Sequence, residues 1–172
     1  MLNSPAHNAH PLNMAFDPRD LVLAVLILGA CYTDFTTKKI RNVLTFPVMA
    51  LGVGLAPLYS DDPLSGLYGL LAAASVAIPA WRFCKALHAG DVKMLMAAGA
   101  LLGAEGGIRA GLFTYVLALP AGLAVLAYRG RLGNIYKFWI KRDKSEVTEA
   151  IHAPVVAAAI LCARLQPWPN LW

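Results

Sequence analysis

Leu21-Val22-Leu23-Ala24-Val25-Leu26-Ile27-Leu28-Gly29-Ala30-Cys31-Tyr32 is an unbroken apolar run, and Asp34 closes it two residues later. A second stretch, Ala89-Gly90-Asp91-Val92-Lys93-Met94-Leu95-Met96-Ala97-Ala98-Gly99-Ala100, opens another apolar run with another aspartate. A carboxylate at the boundary of a hydrophobic helix is costly to desolvate, and in a membrane chain it usually marks function. Two of them, each at a helix end, point to acid–base chemistry on a pair.

The rest of the composition says what solvent these runs meet. The chain has 172 residues, of which 58% are hydrophobic and only 15% charged. A soluble domain is nearer half apolar and a quarter charged. The excess lies in long runs, so the expected solvent is a bilayer. A net charge of +5 invites a nucleic-acid reading. The cations sit in the loops between apolar runs, however, which is where anionic lipid attracts them and where a nucleic-acid patch is not expected. Cys31, Cys84 and Cys162 are widely spaced, with no C-x-x-C pair. They read as small packing residues rather than a zinc or redox site.

Six apolar segments follow one another: Asp20 to Phe35, Val43 to Tyr59, Pro63 to Trp81, Asp91 to Ala104, Ala110 to Tyr128 and Ala150 to Ala163. The second, third and fifth approach the length of a full span of about 20 residues. The others span if their polar ends are drawn in or the bilayer thins. The expected fold is all-α, a polytopic membrane helical bundle of about six transmembrane helices. Residues 1–19 read as a polar tail, 20–165 as the membrane domain and 166–172 as a short C-terminal tail. The tail 1–19 lacks a basic region ahead of an apolar one and a small-residue cleavage site, so the first run is expected to act as an uncleaved anchor. Residues 129–149 form a basic segment with Ile135, Phe138, Trp139 and Ile140 interleaved. It reads either as an amphipathic helix on the inner leaflet or as a solvated loop.

The loop charges orient the bundle. Lys38, Lys39 and Arg41, then Arg82, Lys85 and Lys93, then Arg129, Arg131, Lys137, Lys141, Arg142 and Lys144 fall on one side, 12 of the 15 basic residues. Arg19, Arg109 and Arg164 fall on the other, beside Asp61, Asp62 and Glu105. The positive-inside rule then places both termini outside and both Asp34 and Asp91 at the cytoplasmic boundary. Small residues at Ala97-Ala98-Gly99-Ala100 and Ala157-Ala158-Ala159 let backbones approach closely in lipid.

Asp91 follows Gly90, which allows either close backbone approach or a positive-φ turn into the helix, and is expected to cap that helix at the end where the dipole favours negative charge. Asp34 lies at the opposite dipole end. If the two meet, one proton is shared: Asp91 is expected to be the ionised base and Asp34 the protonated acid, in a coupled pair whose roles can exchange.

Asp34-x-x-Thr37-Lys38-Lys39-Ile40-Arg41-Asn42 resembles the first aspartate motif of the prepilin peptidases, and Ala89-Gly90-Asp91-Val92-Lys93 with its alanine-rich continuation resembles the second. The resemblance implies an intramembrane aspartic endopeptidase. Such an enzyme cuts the leader from type IV pilin precursors at the cytoplasmic face of the inner membrane, with Asp34 and Asp91 as the catalytic dyad. It implies a prepilin substrate and membrane lipid as partners, with no cofactor, metal or nucleic acid. The chain lacks the cysteine-containing insertion of the larger, N-methylating members. It is therefore similar to the short tight-adherence (Flp-type) branch, for which peptidase activity alone is expected. Arg41 stands where the family usually has proline. His88 stands where a first glycine is common, and it is bulky enough to crowd the cleft.

Around the pair, Gly90, Lys38, Lys39, Arg41 and Lys93 are candidates for seating the substrate; the basic ones also serve as topology signals and headgroup anchors. Asn42 either hydrogen-bonds the site or simply starts the next segment. His88 and His152 with the aspartates offer a mixed nitrogen and oxygen metal set, but no H-x-x-x-H spacing supports it. The reading from another class is a transporter or assembly subunit whose aspartates bind a proton or cation. The paired broken helices of a transporter's two halves are not visible here.

Overall fold

The computed structural model describes residues 17–84, 87–128 and 153–165. Every regular element among them is helical: α1 (Pro18–Thr37), α2 (Asn42–Tyr59), α3 (Ser65–Pro79) continuing into a π-helical turn (Ala80–Cys84), α4 (Ala89–Tyr128) and α5 (Ala153–Leu165). The tails at 1–16 and 166–172, the basic segment 129–149, Lys85 and His152 lie outside the described residues.

α1 starts at Asp17, whose carboxylate accepts the Arg19 backbone N–H at 2.9 Å, with Pro18 in the first turn, where a missing N–H costs nothing. It ends among threonines. The hydroxyls of Thr33, Thr36 and Thr37 donate to the carbonyls of Gly29, Tyr32 and Thr33 at 2.9, 2.8 and 2.8 Å. These bonds give second partners to carbonyls in the closing turns, near the end where helix carbonyls run out of N–H donors. Lys38 then caps the helix with φ 53°, its N–H bonded to the Asp34 carbonyl at 2.9 Å. A left-handed residue bearing a side chain costs roughly 1 kcal/mol. Here it reverses the chain, and α2 begins four residues later.

α3 and α4 pack most intimately, through residues that have little or no side chain. A Cβ on Gly69 would run into the Gly99 carbonyl, and one on Gly66 would stand 3.1 Å from the Ala100 carbonyl oxygen. Helix backbones touch along this seam, which is how small residues drive association where lipid removes the hydrophobic incentive. The Tyr115 hydroxyl donates to the Val76 carbonyl at 2.7 Å and fixes the far limb of α4 to α3.

α4 is not one rod. Gly103 has φ 78° and ψ −180°, a backbone conformation open in practice to glycine alone. A Cβ on Gly107 would lie 3.3 Å from the Gly99 Cα, whereas eight residues of straight helix advance about 12 Å. The two limbs therefore fold back on each other around Gly103. The sequence reading ended one run at Ala104 and began the next at Ala110, treating the acidic and glycine-rich residues between as a loop. The helix instead resumes directly after Gly103, because one residue in this conformation is enough to turn the chain.

The first limb of α4 is the centre of the molecule. Met94, Leu95, Ala97 and Ala98 are fully buried, against Leu26 and Ala30 of α1 and Val156 and Ile160 of α5 in one cluster. α1 and α2 have the opposite character. Each is long and apolar enough to cross a membrane, with a mean hydropathy of 1.5, yet only 22% of that apolar window is buried. Leu21, Val25, Leu28, Tyr32 and Phe35 all face outward. A soluble core helix hides such residues, and this much outward apolar surface calls for lipid. At the end of the bundle away from Asp34, Arg164 of α5 makes a forked pair with Asp20 of α1 at 2.7 and 2.9 Å. Arg19 pairs with Asp17 at 2.7 Å and stacks over Tyr59 at the end of α2.

The seam gives a sharp contrast between two glycines. Gly69→Ala is expected to lower stability by about 1–3 kcal/mol, the scale of overpacking. Gly54→Ala, where an added Cβ meets nothing, is expected to be neutral or stabilising by up to about 1 kcal/mol. Thermal unfolding of both variants in detergent checks this; equal midpoints would remove the seam from the account.

Candidate active site

Four helix ends meet at one end of the bundle. Asp34, half-buried, projects from the last turns of α1. Its Oδ2 accepts the backbone N–H of Ala153, the first residue of α5, at 3.2 Å. The first N–H groups of a helix lack internal acceptors, and Pro154 has no N–H to give, so α5 offers Ala153. The C-terminal end of α1 disfavours a negative charge on Asp34; the N-terminal end of α5 favours one. The sequence reading contained only the first of these opposing effects.

Asp91 is 3% exposed. It was expected to cap α4, but the helix begins earlier, at Ala89, and Asp91 occupies the third helical position. His88 is the residue at the cap. The Asp91 Oδ2 accepts the His88 backbone N–H at 2.9 Å, and the Val92 N–H donates to the His88 carbonyl at 3.2 Å. This is the reaching-back half of a capping box, with aspartate in the usual place of glutamate. It fixes the carboxylate rotamer against the chain.

The His88 imidazole sits on the same oxygen, with Nδ1 3.6 Å from Asp91 Oδ2. The Asp91 carboxylate beside it raises the imidazole's pKa above the ordinary histidine value, and the charge of Asp34 adds to this against partial burial. Both carboxylates, from different helices, therefore act on one ring.

Two further contacts join the stretches around the aspartates. A Cβ on Gly90 would lie 3.1 Å from the Ile40 Cβ, so the bare glycine is what admits the chain leaving α1. The Lys93 ammonium donates to Asn42 Oδ1 at 2.7 Å and lies 5.5 Å over the Phe46 ring. Asn42 thus does start α2, and it also receives Lys93. Lys38, Lys39 and Arg41 are exposed beside this junction.

Sequence reasoning singled out Asp34, Asp91, Gly90, Lys93 and Asn42, and the fold brings all five to this end. It treated His88 as an interfacial histidine that could crowd the cleft, in preference to a metal ligand. The signal that would have placed His88 is the spacing His88-x-x-Asp91 immediately before an apolar helix. The Ala153 N–H carries no sequence signal. The proposed metal set includes His152, outside the described residues; among the described residues no three of His, Cys, Asp and Glu gather to hold a metal. Cys31 and Cys162 are free, half-buried thiols.

A double-mutant cycle with Lys93→Met and Asn42→Ala should show coupling of about 0.5–1.5 kcal/mol in unfolding free energy, as for one charge-assisted hydrogen bond near solvent. Strict additivity would mean that the two residues do not hold α2 to α4. Lys38→Gly should raise the unfolding temperature, because glycine adopts the left-handed cap without strain; a drop would show that the lysine side chain matters more than its backbone.

A model of the type IV leader peptidase family matches residues 21–124, more than half of the chain, and spans both aspartate stretches. No curated protein and no solved structure gives a match. α5, whose first N–H meets Asp34, lies beyond the matched region. With two helices apolar and long enough to cross a bilayer and a family match over the residues that build this site, the chain belongs to the type IV leader peptidase family, a family of membrane peptidases.

Proposed function

We propose that the protein is an intramembrane aspartic endopeptidase in which Asp34 and Asp91 activate a water to cut the leader from a type IV prepilin. The observation that carries this reading is the meeting of the two carboxylate-bearing helix ends of α1 and α4, where Gly90 packs against Ile40 and Asp34 and Asp91 each accept a backbone N–H at the start of a helix. Asp91 is the base. It lies at a helix N-terminus beside an imidazole whose pKa its own charge raises, and ionised carboxylate suits both neighbours. It takes a proton from water. Asp34 is the acid. Its Oδ2 is engaged by the Ala153 N–H, which leaves the other oxygen to carry a proton and hydrogen-bond the scissile carbonyl. The tetrahedral intermediate collapses as the leaving amine takes up a proton, and the dyad returns to its shared-proton state.

The loop charges support an arrangement of six spans over residues 20–165, with both termini outside and the site at the cytoplasmic face of the inner membrane. A site at helix ends suits the chemistry. The peptide to be cut must leave its helix and meet water, and irregular backbone at this depth is tolerated only against protein or a polar cavity. The substrate is a precursor with an apolar helix and a cytoplasmic leader, of the Flp-like, tight-adherence kind. Lys38, Lys39 and Arg41 form an exposed basic rim suited to an acidic or lipid-bound partner. The short chain, without a cysteine-paired insertion, is assigned peptidase activity and no methyl transfer.

Asp34→Asn and Asp91→Asn are each expected to abolish cleavage of a co-expressed Flp-like prepilin, read as a loss of the size shift on a gel, while unfolding at the wild-type temperature within a few degrees. Cleavage persisting in either variant would take that residue out of the dyad. The wild-type rate should follow a bell in pH; a flat profile down to the onset of acid unfolding would contradict two-carboxylate catalysis.

A further inference from the structure

We propose that His88, as an imidazolium, is a positioning residue of this site: it holds Asp91 charged and oriented beside Asp34, and its deprotonation sets the alkaline limit of activity. The inference rests on the aspartic peptidase reading and adds to it a third titratable group.

The geometry separates what the backbone of His88 does from what its ring does. The backbone N–H, 2.9 Å from Asp91 Oδ2, is the helix cap. Any residue other than proline supplies it, including the glycine that the resembling family commonly has here. The ring adds a second donor to the same oxygen, with Nδ1 at 3.6 Å. That separation is long for a hydrogen bond and suits an ion pair that tightens when a substrate excludes water. The side chain is 49% exposed, so the ring exchanges protons freely with solvent, while the Asp91 side chain is 4% exposed. A buried carboxylate with a protonatable ring at its mouth is a natural place for charge to be regulated.

Among the described residues two charges act on the ring: Asp91 from its own helix and Asp34 from α1. The sign follows. With the His88 pKa above the ordinary histidine value, the charged pair with Asp91 is fully present below that ordinary value and is lost as pH rises through the raised one. The ring then goes neutral, and Asp91 loses the imidazolium beside it. Two like charges disfavour each other, so the balance of one base and one acid becomes harder to keep. A dyad lacking the histidine keeps only the limb set by loss of its own shared proton.

The test uses the full chain in lipid vesicles, a Flp-like prepilin as substrate, and rates measured from pH 5 to 9. His88→Gln keeps the cap. It is expected to lower kcat at neutral pH about two- to fivefold, the scale of a part-exposed ion pair, to leave KM unchanged and to shift the alkaline limb from its wild-type position. His88→Lys keeps a cation at higher pH and is expected to extend activity upward. Profiles of both variants that superimpose on the wild type would overturn the proposal, as would a loss expressed only in KM. Histidine titration followed by NMR on labelled protein provides a readout independent of activity. The His88 resonance, identified in a chain with His7, His10 and His152 replaced, should titrate lower in Asp91→Asn, and lower by a smaller amount in Asp34→Asn. A midpoint unmoved in both would overturn the proposal even if the substituted His88 variants fail to fold. The two readings fail separately: cleavage by Asp34→Asn or Asp91→Asn sinks the dyad, whereas inactive aspartate variants with an indifferent His88 sink only this inference.

Discussion

Helix ends have unpartnered backbone groups, and in an apolar bundle those groups decide where charge can sit. Three helix N-termini converge on the end that carries the two aspartates: α2 at Asn42, α4 at Ala89 and α5 at Ala153. Each brings free N–H groups and a partial positive charge. Two of them are used directly, by the His88 N–H on Asp91 and the Ala153 N–H on Asp34. Without these donors, two carboxylates at this depth would be costly to desolvate. With them, the same end concentrates negative side chains that can exchange protons. At the other end Asp20 meets a guanidinium instead, in the forked pair with Arg164, so that carboxylate is neutralised by a partner rather than left available for chemistry.

The convergence depends on packing elsewhere. Asp91 is buried because the first limb of α4 is enclosed by α1, α3 and α5, and it is enclosed because glycines and alanines let backbones touch. Gly103 supplies the sharp reversal that allows the second limb of α4 to return along α3. Gly90 does the corresponding work at the site, where its missing side chain admits Ile40 and so brings the chain after Asp34 against the start of α4. Lys93 then links α4 to α2 through Asn42. The backbone contacts that build the bundle are thus continuous with those that define the site.

Much of this was legible in the sequence. Long apolar runs closed by aspartates announced a helical membrane protein and its two acidic residues, because desolvation makes an intramembrane carboxylate conspicuous in any composition. Gly90 was legible in part: the sequence left close approach and a positive-φ turn both open, and the contact with Ile40 selects close approach. Other features were not. One residue in an unusual backbone conformation turns the chain at Gly103, while the neighbouring Gly106 and Gly107 remain helical, and composition does not distinguish the three. Asp91 was read as the cap because aspartate is a common cap, but it reaches back to His88 from the third position. Lys93 and Asn42 meet across fifty-one residues of chain, and the Ala153 contact uses a backbone atom that any residue but proline would carry. Contacts of these kinds are set by tertiary packing, which leaves no local pattern.

The account stands on the C-terminal end of α1 meeting the N-terminal end of α4 in the membrane. The most direct measurement is thiol cross-linking, with a short bifunctional reagent, of cysteines placed at 34 and 91 in a chain whose native cysteines are replaced by alanine, compared with a pair at 34 and 100. The account predicts rapid linkage of 34 to 91 and little or none of 34 to 100, two and a half helical turns away along the same limb. Linkage of 34 to 100 with none to 91 would place the two acids in different parts of the bundle and contradict it.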